Sequence, residues 1–229
     1  MYFDPTYFLF LLPALAFSMW ASWRTKSAFN KFSKVRTMTG MTGAEAAQRL
    51  LDRAGITDVK VVPTRGALSD HYNPVTKTLA LSEPVYGQPS IAAVGVACHE
   101  AGHAIQHARS YPPLWLRSVL VPTAKIGSSI GYFVMFFGLI LGSMGLFWIG
   151  VLMFSAVLLF QIVTLPVEFD ASKRAKVLAV EQGIIAAQER EGVDRVLNAA
   201  AMTYVAAAVS TLMTLLYFLL RAGVLGGRD

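Results

Sequence analysis

The chain contains a single cysteine, Cys98, in 229 residues, and only 15% of its residues are charged. A lone thiol excludes an intramolecular disulfide framework and any multi-cysteine zinc or iron–sulfur site. Ordinary soluble domains are about 25% charged. The low charge here, beside 55% hydrophobic residues, also excludes a disordered chain, which needs the opposite balance. The composition points to a membrane protein, with no repeats and no low-complexity tract. The net charge is +6. Its bases flank apolar runs, where membrane topology accounts for them, so no nucleic-acid partner is expected.

A spanning helix needs about 20 apolar residues. The first candidate runs from about Tyr7 to Trp23 and is followed by Arg24, Lys26, Lys31, Lys34 and Arg36. A cleaved signal peptide carries its bases before the apolar run. This order instead predicts a retained anchor with its N-terminus outside. The apolar stretch from about Ser118 to Leu165 is long enough for two helices, at about 122–142 and 146–165, with the turn marked by Gly142 and Gly145. Gly127/Gly131 and Gly138/Gly142 are spaced for close helix approach, or serve as turn and flexibility residues. A fourth span covers about Ala201 to Leu220. The Lys/Arg bias of residues 24–117 places the polar regions in the cytoplasm. The stretches 24–117 and 167–200 are separated by two spans and so share one side of the membrane. The expected organisation is an anchor at 1–23, a catalytic unit at 24–117, a transmembrane hairpin at 118–166, a polar helical segment at 167–200, and a final transmembrane helix and tail at 201–229.

Within 24–117, Thr42-Gly43-Ala44-Glu45 forms a capping box for a helix over about 43–54, stopped by Gly55. The stretch 58–62 alternates as a strand ending at Pro63. Two β-type runs, 68–72 and 75–81, flank Asn73-Pro74 as a hairpin or bent pair. Ser90 is placed to cap a helix from Ile91 to about Arg109. The fold class is therefore α+β, with about four transmembrane helices and a small cytoplasmic α+β unit.

Three of the four histidines, His99, His103 and His107, fall within that last helix. His99-Glu100-Ala101-Gly102-His103 spells H-E-x-x-H. On a helix, positions i and i+4 share a face, so two imidazoles can reach one Zn²⁺ while Glu100 serves as general base toward water. Two core histidines and a glutamate would instead leave several polar groups without partners. A catalytic zinc site usually has three protein ligands. His107 lies about 12 Å beyond His99 along the helix axis, too far to share the ion, and suits a supporting or surface role. Glu168 and Asp170 follow a span, just past Pro166, on a helix expected from about Val167. Either could complete a His₂-carboxylate site.

The runs LSDHYNP, VACHEAGHAIQH, LPVEFDASKRA and VLNAAAMTYVAAA together resemble the bacterial integral-membrane neutral zinc metallopeptidases, a YugP-like family of gluzincin type. The resemblance covers most of the chain. It implies a zincin-like catalytic unit holding one Zn²⁺, with His99 and His103 as ligands, Glu100 as base and Glu168 as third ligand. Many gluzincins carry an Asp four residues after that Glu to orient a ligand histidine. Here that position is Ser172, so Ser172, Asp170 or a backbone carbonyl would fill the role. His71, before strand 75–81, is a candidate electrophile or substrate contact. Tyr204 is a candidate oxyanion donor or an interfacial aromatic.

The expected function is a zinc metallopeptidase of the bacterial inner membrane, multi-pass and set in the lipid bilayer. Its active site would face the cytoplasm, and its substrates would be peptides or membrane proteins. An extended substrate could add to the edge of strand 75–81. The alternatives are an intramembrane-type zinc protease, favoured by the apolar run at 91–98, and a non-catalytic zinc-stabilised scaffold, against which an intact Glu100 argues.

Overall fold

The structure is a computed structural model that describes residues 5–66 and 68–224. Asp4, expected to precede the first span, and Arg228 in the tail lie outside the described residues. The chain folds as two compact units, each assembled from separated stretches.

One unit gathers the N-terminal stretch through Ala21, Leu116–Leu165 and the stretch from Thr203 onward. Among the described residues, four helical stretches are long and apolar enough to cross a membrane: Pro5–Phe32, Pro112–Ile140, Met144–Glu181 and Ala187–Arg221. The first is α1. The second comprises α5 (Pro112–Ile126), one π-helical turn (Gly127–Gly131) and α6 (Tyr132–Ile140). It begins about ten residues before the expected start, because a proline at the first helical position needs no N–H partner. Gly127 faces the Met153 carbonyl, and Gly138 faces the Phe147 backbone, so closely that no Cβ fits at either. Gly142, by contrast, has φ +63° in the turn and meets nothing. The Gly138/Gly142 pair therefore divides into a packing residue and a turn residue. Met135, Phe147, Val151, Leu215 and Phe218 form this unit's core.

The helix after the turn, α7 (Met144–Glu181), runs unbroken through Pro166, where a new helix was expected to start at Val167. A proline inside a helix removes only the bond to the carbonyl four residues back, and α7 tolerates that loss.

The second unit comprises Ser22–Trp115 and Pro166–Met202. Its α2 (Gly43–Arg53) opens with the capping box: Thr42 Oγ1 accepts from the Glu45 amide, and Glu45 Oε2 accepts from the Thr42 amide at 2.8 Å. Three strands follow, β1 (Lys60–Thr64), β2 (His71–Asn73) and β3 (Thr78–Ser82), in the order β1-β3-β2. The β2–β3 pair is antiparallel, with His71 opposite Ala80. Its turn is made by Asn73 Oδ1, which accepts from the amides of Val75 and Thr76. Strand β1 pairs parallel to β3, with Lys60 opposite Thr78. Two sequence expectations change as a result. Pro63 lies inside β1 rather than ending it, since an edge strand has a free side for the missing donor. The run 75–81 is not an edge, because β3 is paired on both sides.

A short helix, α3 (Glu83–Tyr86), precedes α4 (Ile91–Ala108). Ser90 Oγ accepts from the Ala93 amide and caps α4. The apolar start of α4 is consumed by packing: Ala93, Val94, Ala97 and Cys98 are fully buried with Leu50, Leu51, Leu79 and Leu81. The last helix, α8 (Arg190–Arg221), begins before the expected span. Replacing Leu81, which is fully buried in this core, by alanine is expected to cost about 2–5 kcal/mol. Denaturant unfolding of the detergent-solubilised protein reads this, and a loss below about 1 kcal/mol would contradict the packing described.

Candidate metal centre

Helix α4 brings its two H-E-x-x-H imidazoles side by side, with ring centroids 4.7 Å apart and planes crossing at 81°. The third group comes from α7. Glu168 Oε2 lies 3.2 Å from His99 Nε2 and 3.6 Å from His103 Nε2. The potential ligand atoms of the three residues all fall within 4.8 Å of one another. An ion held tetrahedrally at roughly 2.0–2.2 Å separates its ligand atoms by about 3.4 Å. The two shorter distances match that value without movement, so the residues fit a divalent metal.

Close approach of α4 and α7 makes this convergence possible. Gly102 sits between the two histidines, and a Cβ there would lie 2.8 Å from the Ala171 carbonyl oxygen. Ala171, fully buried, is the residue Gly102 meets on α7. Glu168 is 2% exposed and His103 7%. Burial alone would push the Glu168 carboxyl up. The hydrogen-bonding contacts to His103 and His99 outweigh burial and hold it well below the usual carboxylate range. Burial would likewise lower His103, but Glu168, assisted by Glu100, raises it above the ordinary histidine value. Each group therefore favours the charged form of the other, and the buried carboxylate requires a cation beside it.

Each of the two histidines is held at its other nitrogen. Ser172 Oγ lies 3.1 Å from His99 Nδ1. Gln106 Oε1 lies 3.0 Å from His103 Nδ1. Asp170 does not touch either ring. Its Oδ2 accepts from Gln106 Nε2 at 2.8 Å and from Arg174 Nε at 2.6 Å. The sequence reading missed Gln106, although its position three residues after His103 puts it on the neighbouring turn of the same helix. Glu100 is buried at 8% exposure and acts electrostatically on His103.

The other expected residues are not among the three that converge. His107 Nδ1 is 2.8 Å from the Tyr72 hydroxyl, which joins α4 to β2. His71 is exposed on β2, with Nδ1 2.8 Å from the Ser69 carbonyl. Tyr204 lies on α8, in the unit of apolar helices. Burial pushes the Cys98 thiol up to about 12, which makes it a core residue rather than a ligand.

The family described as "Putative neutral zinc metallopeptidase" matches residues 7–223. A Bacillus subtilis (strain 168) protein named "Putative membrane protease YugP" is 48% identical over 223 residues, covering 97% of this chain and 98% of that one. No solved structure matches.

Two outcomes follow for metal binding. Glu168→Ala is expected to lose tight metal binding, and Asp170→Ala to keep a metal at reduced affinity, as read by metal mass spectrometry after dialysis. Equal loss in both variants would contradict the geometry. The raised His103 holds its proton more firmly than an ordinary histidine, so protons compete with metal earlier as pH falls. Apparent metal affinity should therefore weaken on acidification from a higher pH than an ordinary histidine would give, measured by chelator competition across a pH series.

Proposed function

Because the chain belongs to this family of zinc metallopeptidases, we propose that it is a membrane-embedded zinc metalloendopeptidase, with His99, His103 and Glu168 as metal ligands and Glu100 as general base. The convergence of the three ligand groups within 4.8 Å carries the reading. When bound, zinc supplies Lewis acidity, polarising a carbonyl and lowering the pKa of water. His99 and His103 offer Nε2, and Glu168 offers Oε2. Ser172 and Gln106 hold the opposite ring nitrogens and so keep the imidazoles aimed at one point.

The Glu100 carboxylate takes the proton from the attacking water and later returns it to the nitrogen of the leaving amine. Its burial excludes bulk water and keeps that proton in the site. Strand β2, one of the two outer strands of the sheet, carries His71 and offers an edge to an extended peptide. His71 is exposed there and contacts substrate.

Helix α7 supports placement of the site at the membrane boundary. Its 38 residues span about 57 Å at about 1.5 Å per residue, nearly twice the roughly 30 Å hydrocarbon layer. The apolar first part fills that layer, and the part bearing Glu168 extends past it. Helix α4 is not among the four candidate spans, which favours a site outside the bilayer core over an intramembrane one. The bases following the first span support a cytoplasmic orientation in the bacterial inner membrane. We take 24–117 and 167–200 as the catalytic part and the remaining stretches as its membrane anchor. A site at this level suits membrane-protein or peptide substrates.

Glu100→Gln should reduce hydrolysis of an unstructured protein substrate by at least about 10²-fold, with zinc still bound at one ion per chain. Full proteolysis in that variant would refute Glu100 as the base. A wild-type protein purified without any divalent metal would refute the enzyme reading as a whole.

A further inference from the structure

We infer that Gln106 is a positioning residue that fixes a hydrogen on His103 Nδ1 and so leaves Nε2 as the nitrogen that can take a metal. This rests on the proposed metal site at His99, His103 and Glu168. Gln106 is fully buried, and its side-chain amide is engaged on both sides. Nε2 lies 2.9 Å from the Val167 carbonyl oxygen and 2.8 Å from Asp170 Oδ2. Both partners accept and neither can donate. The two amide protons are thereby used, and the amide has a single allowed orientation. Its oxygen must face His103 Nδ1, 3.0 Å away.

An oxygen there requires Nδ1 to carry the hydrogen. A metal-binding imidazole is neutral and has only one N–H, so once Nε2 gives up the proton it shares with Glu168, that nitrogen and not Nδ1 carries the lone pair, on the side of Glu168. Arg174 strengthens the arrangement from outside, since its donation to the same Asp170 oxygen holds that carboxylate in place and ionised. The order of control runs Arg174, Asp170, Gln106, His103. The bond to Val167 adds a second effect. That carbonyl directly precedes Glu168 in α7, so one amide aligns a ligand ring on α4 and the backbone carrying the third ligand.

A packing role alone would not choose between donor and acceptor at His103, and this difference can be tested. Gln106→Leu keeps the volume and removes every polar contact. Gln106→Glu keeps an acceptor toward His103 Nδ1 and loses both donors, placing a carboxylate beside Asp170. Zinc affinity is measured by chelator competition on full-length protein in detergent. Thermal stability is measured on the same samples stripped of metal. The expected result is a 10–100-fold loss of zinc affinity in Gln106→Leu and a loss under about tenfold in Gln106→Glu, although the metal-free stability of Gln106→Glu falls at least as far. Where the leucine variant does not fold, Gln106→Met takes its place. Zinc affinity within threefold of wild type in the apolar variant would overturn the inference. So would affinity that simply follows stability in both variants. Wild-type protein that binds no zinc would instead remove the proposed function on which this rests.

Discussion

The candidate metal centre depends on keeping a carboxylate, Glu168, almost fully buried against two imidazoles. An isolated buried charge of this kind costs several kcal/mol, and attraction repays it only where geometry is good and the remaining polar atoms are satisfied. The protein meets that condition through the approach of α4 and α7. Gly102 allows the approach, because any side chain there would meet the Ala171 carbonyl. The small residues around it set the distance between the helices, and that distance sets whether three ligand atoms share one point.

The polar contacts around the centre extend the same logic outward. Ser172 and Gln106 occupy the ring nitrogens that face away from Glu168, and Asp170 and Arg174 hold Gln106. At the far end of α4, the Tyr72 hydroxyl meets His107, which fastens the helix to β2. Helix α4 is thus held on one side by α7 and on the other by the sheet. Rigid support on both sides matters for a metal centre, because a ligand displaced by even a fraction of an ångström loses affinity.

Much of the local structure could be read from residue order. The Thr42–Glu45 capping box, the Ser90 cap, the turn at Asn73-Pro74 and the run of α4 all depend on contacts within about four residues. The errors came where long-range pairing intervened. Strand β3 was read as an edge, but β1 joins it from across some fifteen residues of chain in parallel register. Pro63 was read as a terminator, but the free side of an edge strand accommodates it. Pro166 was read as a helix boundary, but α7 continues because its other backbone bonds remain. Gly138 and Gly142 share a spacing motif and yet do different work, since one faces a neighbouring backbone and the other takes a positive φ.

The candidate site divides along the same line. The i, i+4 spacing of His99 and His103, with Glu100 between them, puts two imidazoles on one helical face whatever else the chain does, because helical geometry is local. Whether Glu168 or Asp170 would meet them could not be decided from spacing, since both acids follow the same span and lie on the same helix. Packing separates them. Both reach α4, but at different residues: Glu168 meets His99 and His103, while Asp170 meets Gln106 and Arg174. Gln106 itself is unremarkable in the sequence, and it becomes informative only when α7 supplies two acceptors for its amide protons.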